Sequence, residues 1–429
     1  MRSPVRSPVA TPTLTPSKQQ SPENVDPEAT PRDPAPDDSS AVRAAHVEID
    51  WSLPKIEGDP PCARGGHSAV LADTQLLIFG GHYFGGHGAF VYLNDLHRLD
   101  LETSTWHAIP FAERDAVVPC ARYDHRALLL NGGTRMFVFG GRSEGGAACR
   151  DMFFLDLTTV SWLQVQWTTD SPAGRFGHGL VALDDAVMWL FGGWDGHRSM
   201  NDVWTFDSTA FMWQRPSCHG KPPTPRHGHS MVPLSSDLLM VYGGYTVKGG
   251  GGGGGGDALA PLPVYNKDIY LLDIETQTWS RPRLTGEYPA ATFGQSLCLH
   301  NELAFLVGGW AGTERTPLYM GDKQVRTLVQ MLAREERLGS GATSSKEQRA
   351  TRKRQTRELK TTSPTLRVLD VTRMQWYRVV SHGVAVSNRY GHSCTIVGPH
   401  LFVFGGWDGN RALNQLVVGE FSVGATHTT

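Results

Sequence analysis

The sequence predicts an all-β fold, a six-bladed β-propeller, because one pattern of residues recurs along the 429-residue chain. Three observations carry this prediction. Glycine pairs follow short apolar runs, an Arg-x-x-His motif precedes most of these pairs, and an Asp followed six residues later by Trp comes after them. A pattern that returns with near-constant spacing indicates one structural unit copied along the chain.

The glycine pairs mark the end of an apolar β-type segment in every repeat. They are Gly80-Gly81, Gly140-Gly141, Gly192-Gly193, Gly243-Gly244, Gly308-Gly309 and Gly405-Gly406. The Arg-x-x-His motifs are Arg64/His67, Arg122/His125, Arg175/His178, Arg226/His229 and Arg389/His392. The fifth repeat departs from the motif, since Thr292 and Gln295 occupy these places.

The spacing separates a constant part of each repeat from a variable part. The His, or Gln295, lies 13 to 15 residues before the first glycine, whereas the distance from the glycine pair to its Trp ranges from 21 to 68 residues. We interpret each repeat as four antiparallel strands, A to D, with all insertions in the B-to-C connection. Four-stranded sheets repeated at this period are typical of propeller blades.

These motifs resemble the kelch family in its longer-repeat form. The resemblance rests on the segments "RxGHS", "FGGWDG" and "NDVWTFD" and on D-x5-W, and it covers residues 47–421. It implies a kelch propeller that binds proteins, as in ubiquitin-ligase substrate recognition, trafficking or cytoskeletal scaffolding. Some kelch ubiquitin-ligase receptors bind chain-terminal carboxylates with arginines. A fold alone does not specify a function, so these roles are expectations.

The domain organisation follows from composition and from the repeats. Residues 1–40 are rich in Pro, Ser and Thr and are predicted to be disordered. The propeller is predicted over 47–421, with a Gly-rich insertion at 248–265 and a helical, then basic, insertion at 311–364, before a tail at 422–429. The sixth repeat lacks a D strand. Because Trp51 precedes Arg64 by the usual 13 residues, we expect an N-terminal strand to close the ring.

Charge and cysteine content exclude several classes of function. The 40 basic and 42 acidic residues are balanced, which argues against a general nucleic-acid binder, and no apolar run is long enough for a membrane span. The six cysteines are scattered, which indicates reduced thiols. We therefore expect a monomer in the cytoplasm, and also in the nucleus, that acts as an adaptor for a protein or peptide partner.

The predicted binding site is the rim that bears the D-to-A and B-to-C connections, which emerge on one face because the strands are antiparallel. Arginines there would clamp an acidic side chain or a C-terminal carboxylate, aromatic residues would anchor the segment, and blade five would contribute least. The alternatives are structural arginines and aromatics that pack on neighbouring loops. The candidate residues are Arg64, Arg122, Arg175, Arg226, Arg389, His82, Arg142, Trp194, Tyr245, Trp310 and Trp407.

An enzyme is the second hypothesis. The sequence contains no HExxH or GKS/GKT motif, and the cysteines and histidines form no set like that of the galactose-oxidase-like kelch enzymes. We therefore predict no catalytic residue, no metal and no cofactor. A kelch propeller that modifies a ligand through an unrecognised site remains the alternative.

Overall fold

A computed structural model describes residues 46–86, 89–111, 117–130, 132–166, 170–247, 263–311 and 366–424. Apart from one 3-10 turn at Glu144–Gly146, the elements within these ranges are β-strands. The predicted disordered tail, most of the Gly-rich insertion, and both the helical and the basic half of the second insertion fall outside the described residues.

The strand pairings give six four-stranded antiparallel units, which we number as blades one to six in chain order. Blade one contains β2 (Ser68–Ala72), β3 (Gln75–Phe84), β4 (Phe90–Asp100) and β5 (Thr105–Ile109). Blade two contains β7 (Arg126–Leu130), β8 (Arg135–Phe139), β10 (Met152–Asp156) and β11 (Ser161–Val165), beside a short pair, β6 (Arg122–Tyr123) and β9 (Arg142–Ser143).

The other blades repeat this arrangement. Blade three contains β12 (Gly179–Ala182), β13 (Val187–Trp194), β14 (Ser199–Asp207) and β15 (Met212–Gln214). Blade four contains β17 (Ser230–Pro233), β18 (Leu238–Tyr242), β21 (Ile269–Asp273) and β22 (Thr278–Ser280), extended by β19 (Tyr245–Val247) and β20 (Pro263–Tyr265). Blade five contains β24 (Ser296–His300), β25 (Leu303–Val307), β26 (Leu366–Asp370) and β27 (Gln375–Gly383).

The sixth blade joins the two ends of the described chain. It contains β28 (Ser393–Val397), β29 (His400–Phe404), β30 (Leu416–Gly424) and the N-terminal β1 (His46–Ser52). β1 pairs antiparallel with β30 from His46–Gly424 to Ser52–Val418, so the predicted closure by an N-terminal strand is confirmed. β30 extends to Gly424, three residues beyond the predicted end of the propeller.

A ring of backbone hydrogen bonds surrounds the centre of the molecule. The residue two positions after each motif Arg (or Thr292) donates its N–H to the carbonyl of its counterpart in the preceding blade, at 2.7 to 2.9 Å. The members of this ring are Gly66, Asp124, Gly177, Gly228, Gly294 and Gly391. Gly66 accepts from Asp124 and donates to Gly391, so the ring is closed. Six consecutive blades are thereby joined edge to edge at the axis.

The glycine pairs allow neighbouring blades to approach closely. Gly140 has φ +70°, and a Cβ there would lie 2.5 Å from the Arg175 carbonyl oxygen and 2.8 Å from Cε1 of His178, both in the next blade. Gly141 also has positive φ and donates its N–H to the same Arg175 carbonyl at 2.9 Å. Glycine is needed at both places because a side chain would be strained and would clash.

The D-strand tryptophans pack between blades, as predicted. Trp162 of blade two lies 5.2 Å from the Phe79 ring of blade one, and Trp213 lies 5.3 Å from Phe139. Each of these tryptophans therefore contacts the aromatic residue that precedes the glycine pair of the blade before it. The connections that follow the D strands then run beside the next blade's outer strand, where β16 (His219–Gly220) and β23 (Thr285–Gly286) form short parallel pairs.

The strand-C aspartates cap the turn that follows them, also as predicted. Asp156 accepts hydrogen bonds from the backbone N–H groups of Thr158 and Thr159 at 2.9 Å, and four other blades use Asp in the same way. These backbone bonds lower the pKa of the Asp156 carboxyl. The short turns on this opposite face are thus stabilised locally.

Candidate functional site

A cavity opens at the centre of the face that bears the D-to-A and B-to-C connections. It encloses about 1140 Å³ between protein atoms, counting its open mouth. Its walls are mainly aromatic and come from blades one, two, five and six, and the deeper part reaches the motif histidines. Concave sites with a few polar groups among aromatic walls are typical ligand sites.

The five motif arginines do not line this cavity, which corrects the predicted carboxylate clamp. Arg64, Arg122, Arg175 and Arg226 are 0% exposed and Arg389 is 1% exposed. The Arg175 guanidinium donates to both carboxylate oxygens of Asp202 at 2.8 and 2.9 Å. It also donates to the Gly192 carbonyl at 2.8 Å and to the Ala173 carbonyl at 3.0 Å. These bonds join strand C to the glycine pair and to the start of strand A, so the role is structural.

Blade six carries a neutral version of this arrangement. Arg389 donates to the side-chain oxygen of Gln415 at 3.0 Å, where blades one to four have Asp95, Asp151, Asp202 and Asp268. Burial lowers the pKa of Arg389 to about 10, because no carboxylate replaces the lost hydration of its charge. In blade two the same burial opposes the charged form of Arg122, yet the Asp151 carboxylate outweighs it and raises the pKa.

An inner ring of side chains surrounds the cavity mouth one residue after each motif Arg or Thr292. Its members are Gly65, Tyr123, Phe176, His227, Phe293 and Tyr390. Each pairs through its backbone with the residue that follows its own blade's glycine pair. Most of these positions are aromatic in the sequence, and this pattern could have identified the ring. It is less regular than the Arg and His of the motif.

The predicted aromatic residues interlock with this inner ring. The His82 ring lies 3.9 Å from that of Tyr123, Trp194 lies 5.1 Å from His227, and Tyr245 lies 5.2 Å from Phe293. In each pair, the residue after one blade's glycine pair packs on the inner-ring residue of the next blade. Trp310 packs in the same way on Tyr390 at 5.4 Å. Much of this aromatic surface therefore contributes to contacts between blades.

Trp407 makes the corresponding contact in blade one, where the inner ring has glycine. A Cβ at Gly65 would overlap the Trp407 indole, so only glycine leaves room for it. The indole also lies 5.4 Å from His82 and 6.1 Å from Phe90, and it lines the cavity. Trp407, His82 and Arg142 are thus the predicted residues that the structure brings to the cavity, whereas Trp194, Tyr245 and Trp310 lie outside its lining.

Two arginines supply positive charge to the cavity. Arg142, a predicted site residue, donates from Nη1 to the Tyr123 hydroxyl at 3.1 Å and lies 5.7 Å from the Phe176 ring. Arg126 follows the motif histidine of blade two, and its Nε donates to the His178 carbonyl at 2.8 Å. Arg126 was not identified from the sequence as a site residue, since four of the other five blades have Ser at this position.

One aspartate and several histidines also contribute to the net charge of the cavity. Asp124 stands where the other five blades have glycine and adds one carboxylate to the lining. Burial lowers the pKa of His82 to about 4, so this ring is neutral at pH 7. Burial also lowers the pKa of His67, His125 and His392 in the floor. With the floor histidines neutral, two arginines face one aspartate, and the cavity favours an anionic group.

The motif histidines were predicted to form hydrogen bonds between blades, and the outcome is mixed. His67 Nε2 lies 2.9 Å from the Ser393 hydroxyl, and His125 Nε2 lies 2.9 Å from that of Ser68. His178, His229 and His392 make no such bond to a serine hydroxyl within the described residues. Arg126 and Gly179 occupy the partner position for the first two, whereas Ser296, the partner of His392, donates to the His392 backbone carbonyl at 2.8 Å instead. The shared role of the histidines is packing against the neighbouring glycine pair.

A hairpin of blade one stands beside the cavity. Its B and C strands, β3 and β4, are longer than the B and C strands of the other blades. They remain paired beyond Gly80-Gly81, as far as Phe84 in β3 and Phe90 in β4. Phe90 lines the cavity, while Phe84 is 39% and Val91 is 36% exposed. This hairpin therefore presents apolar side chains beside the cavity.

Comparison with known proteins agrees with this architecture. A family model described as the KLHDC2/KLHL20/DRC7 Kelch-repeats domain matches residues 83–309, which is more than half of the chain, and a Kelch motif model matches residues 388–417. The chain belongs to the Kelch-repeat family. The kelch propeller predicted from the repeats is therefore confirmed.

Individual relatives share the kelch region. Host cell factor of Drosophila melanogaster is 26% identical over 380 residues, which cover 82% of this chain and 21% of that protein. Kelch domain-containing protein 3 of Bos taurus is 32% identical over 209 residues, 45% of this chain and 51% of that protein. Acyl-CoA-binding domain-containing protein 4 of Arabidopsis thaliana is 26% identical over 292 residues, 66% of this chain and 40% of that protein.

The kelch chain thus spans between about a fifth and about half of the length of these relatives. Membership of the family indicates a protein-interaction scaffold. Within the described ranges, no helix is long and apolar enough to cross a membrane. In the same part of the chain, His, Cys, Asp and Glu side chains form no group of three that would hold a metal ion.

Proposed function

We propose that this kelch propeller is a non-enzymatic adaptor that holds an acidic or C-terminal segment of a protein partner in the central cavity. The observation that carries the proposal is the placement of Arg142 and Arg126 among the aromatic walls of that cavity. Substrate recognition for a ubiquitin ligase, trafficking and cytoskeletal assembly are the roles in which such an adaptor would serve.

The chemistry of the lining favours a carboxylate rather than a cation. The guanidinium of Arg142 is oriented by the Tyr123 hydroxyl and the Phe176 ring, and that of Arg126 by backbone carbonyls of the neighbouring blades. Guanidinium groups held in this way lose little side-chain entropy when they bind a carboxylate in bidentate fashion. Because part of the lining is buried in the protein, each such bond is stronger than at an open surface.

The aromatic walls would supply apolar contact area. Phe90, Tyr92 and Trp407 face the cavity, and Phe84 and Val91 lie on the adjoining hairpin. Trp, Tyr and Arg are the residue types most enriched at binding hot spots. A peptide with an acidic group preceded by an apolar residue fits both parts of the lining. Blades one, two and six would provide most of its contacts.

The test is a binding experiment with the full chain. Peptide libraries with free or amidated C-termini are screened against it, and the selected sequences are measured by fluorescence anisotropy. We expect enrichment of peptides with a carboxylate, and for these Arg142→Gln should weaken binding by about 10- to 100-fold, the cost of a charge-assisted hydrogen bond.

The matched control is Arg135→Gln. Arg135 is an exposed arginine of the same blade that follows the A-to-B turn on the opposite face, so both variants remove one positive charge from blade two. The Arg135 variant should bind as the wild type does. If both variants weaken peptide binding equally, the effect comes from the net charge of the protein and not from contact with Arg142. Selection of basic peptides would contradict the proposal.

A further inference from the structure

Blade two contains two thiols in contact beside a buried arginine. The Cys120 and Cys149 sulfurs lie 4.0 Å apart, and Nη2 of Arg122 lies 3.2 Å from the Cys120 sulfur. Cys120 is exposed to solvent, whereas Cys149 is 9% exposed. All six cysteines of the chain are free in the structure. No binding function described above uses this pair.

We propose that Cys120 and Cys149 form a peroxide-sensitive dithiol, in which Cys120 is the attacking thiolate and Cys149 the resolving thiol. An accessible thiol next to a fixed positive charge is the environment that makes a cysteine reactive, and a second thiol in contact allows the oxidised sulfur to be captured. The proposal does not depend on the partner that the cavity binds.

The electrostatics of the pair support this division of roles. The pKa of Cys120 is lowered to about 6, mainly by the hydrogen bond from the Cys149 thiol and further by the charge of Arg122. The same hydrogen bond, together with burial, raises the pKa of Cys149. At neutral pH the exposed sulfur is therefore the anion and the buried sulfur keeps its proton.

The chemistry balances with hydrogen peroxide as the oxidant. The Cys120 thiolate attacks one peroxide oxygen, an S–O bond forms, the O–O bond breaks, and the departing hydroxide takes a proton to become water. Cys149 then loses its proton and attacks the Cys120 sulfur, so that an S–S bond forms while the S–O bond breaks and a second water leaves. The two sulfurs together give two electrons to the peroxide.

The structure permits the second step without unfolding the blade. A disulfide needs its sulfurs about 2.05 Å apart, so the two must approach by about 2 Å. Cys120 lies in the connection between blades one and two, and its exposed side chain is able to rotate toward Cys149. Arg122 keeps its bonds to Asp151 at 2.7 and 2.8 Å and to the Gly140 carbonyl at 3.0 Å. The product would join the D-to-A and B-to-C connections on the rim.

Cys62 provides an internal comparison. Its sulfur also lies 3.2 Å from a buried guanidinium, that of Arg64, and it too is exposed. Among the described residues, no other cysteine sulfur lies within hydrogen-bonding distance of it. Cys62 therefore has the cation without the resolving thiol. Cys298, whose thiol donates to the Cys394 carbonyl at 3.0 Å, has a neighbouring cysteine but no guanidinium contact.

The test uses the full reduced chain treated with a small excess of hydrogen peroxide, alkylated, digested without reductant and examined by mass spectrometry. We expect one intramolecular cross-linked peptide pair, Cys120 with Cys149, and no disulfide at Cys62 or Cys298. Iodoacetamide should label Cys120 at least tenfold faster than Cys298. Oxidation of Cys298 at the same rate, or a folded chain without the Cys120–Cys149 bond, would overturn the proposal.

Two variants separate the roles. Cys120→Ser should fold, because a serine hydroxyl accepts from the motif arginine at this place in blade six, where Ser387 Oγ lies 3.2 Å from Arg389 Nη2. It should form no cross-link. Cys149→Ala should leave a sulfenic acid on Cys120 that dimedone traps. If the Cys149 variant shows no dimedone adduct at Cys120 while remaining folded, Cys120 is not the attacking thiol.

Discussion

Replacing Arg175 with methionine tests whether the motif arginines stabilise the blades. The substitution keeps a long apolar stem but removes the guanidinium that bonds Asp202 and the Gly192 and Ala173 carbonyls. Removing one partner of a buried ion pair costs about 3–5 kcal/mol of unfolding free energy. Unfolding entropy of about 2.1 cal/mol/K per residue, over the roughly 300 residues that the structure describes, converts this loss into a melting temperature lower by roughly 5–8 °C.

The assay is thermal unfolding followed by circular dichroism, with partner binding measured on the same sample below the transition. Asp202→Asn is the comparison, because it leaves a neutral acceptor such as Gln415 provides for Arg389 in blade six. It should destabilise the protein less than Arg175→Met does. A methionine variant that melts with the wild type and has lost its partner would show that Arg175 contacts the ligand and that the structural role is wrong.

Three further predictions concern the ring. Trp51→Ala should lower the free energy of unfolding, measured by urea denaturation, by about 3–5 kcal/mol, since Trp51 is 2% exposed in the closing strand. Truncation of residues 1–38 should leave the unfolding transition unchanged. Destabilisation by the truncation but not by Trp51→Ala would contradict closure of the ring by β1. Gly140→Ala should destabilise the protein more than Gly196→Ala does. Both glycines have positive φ, but only at Gly140 would an added Cβ have other atoms within 4 Å. Equal melting temperatures of the two variants would contradict the predicted clash. Burial lowers the pKa of His392 to about 3. The unfolded chain thus binds more protons between pH 3 and about 6.5, and stability should fall as pH falls there, by up to ~1.4 kcal/mol per pH unit for this residue. His392→Gln, the residue type of Gln295 in blade five, should flatten that slope in pH-dependent melting curves, and an unchanged slope would contradict the assignment.

The repeats predicted the fold because they record contacts that every blade must make. A glycine before a neighbouring histidine, and a tryptophan against the aromatic residue of the preceding blade, recur at most boundaries between blades. The closing strand was predictable for the same reason, since Trp51 keeps the spacing of the other repeats. The β30 end at Gly424 was not, because pairing with β1 determines it and no motif marks it.

The site was harder to predict because the sequence pattern does not distinguish a buried arginine from one that faces the rim. Arg175 and its counterparts recur since each blade needs its strands joined, and the acidic partner was visible five residues before the turn-capping Asp, as in Asp202 and Asp207. Residues that break the repeat, Arg126 and Arg142, are the ones that carry charge into the cavity. A departure from the consensus on the rim was therefore the better signal.

The central claim is that the partner occupies the cavity at the centre of the rim. Hydrogen–deuterium exchange on the full chain, with and without a captured peptide, tests this most directly. We predict slower exchange in segments that line the cavity, around Tyr92, Tyr123–Arg126 and Tyr390–His392, with no change in the opposite-face turns around Asp73 and Asp184. Protection of those turns with unchanged exchange at the cavity would contradict the account.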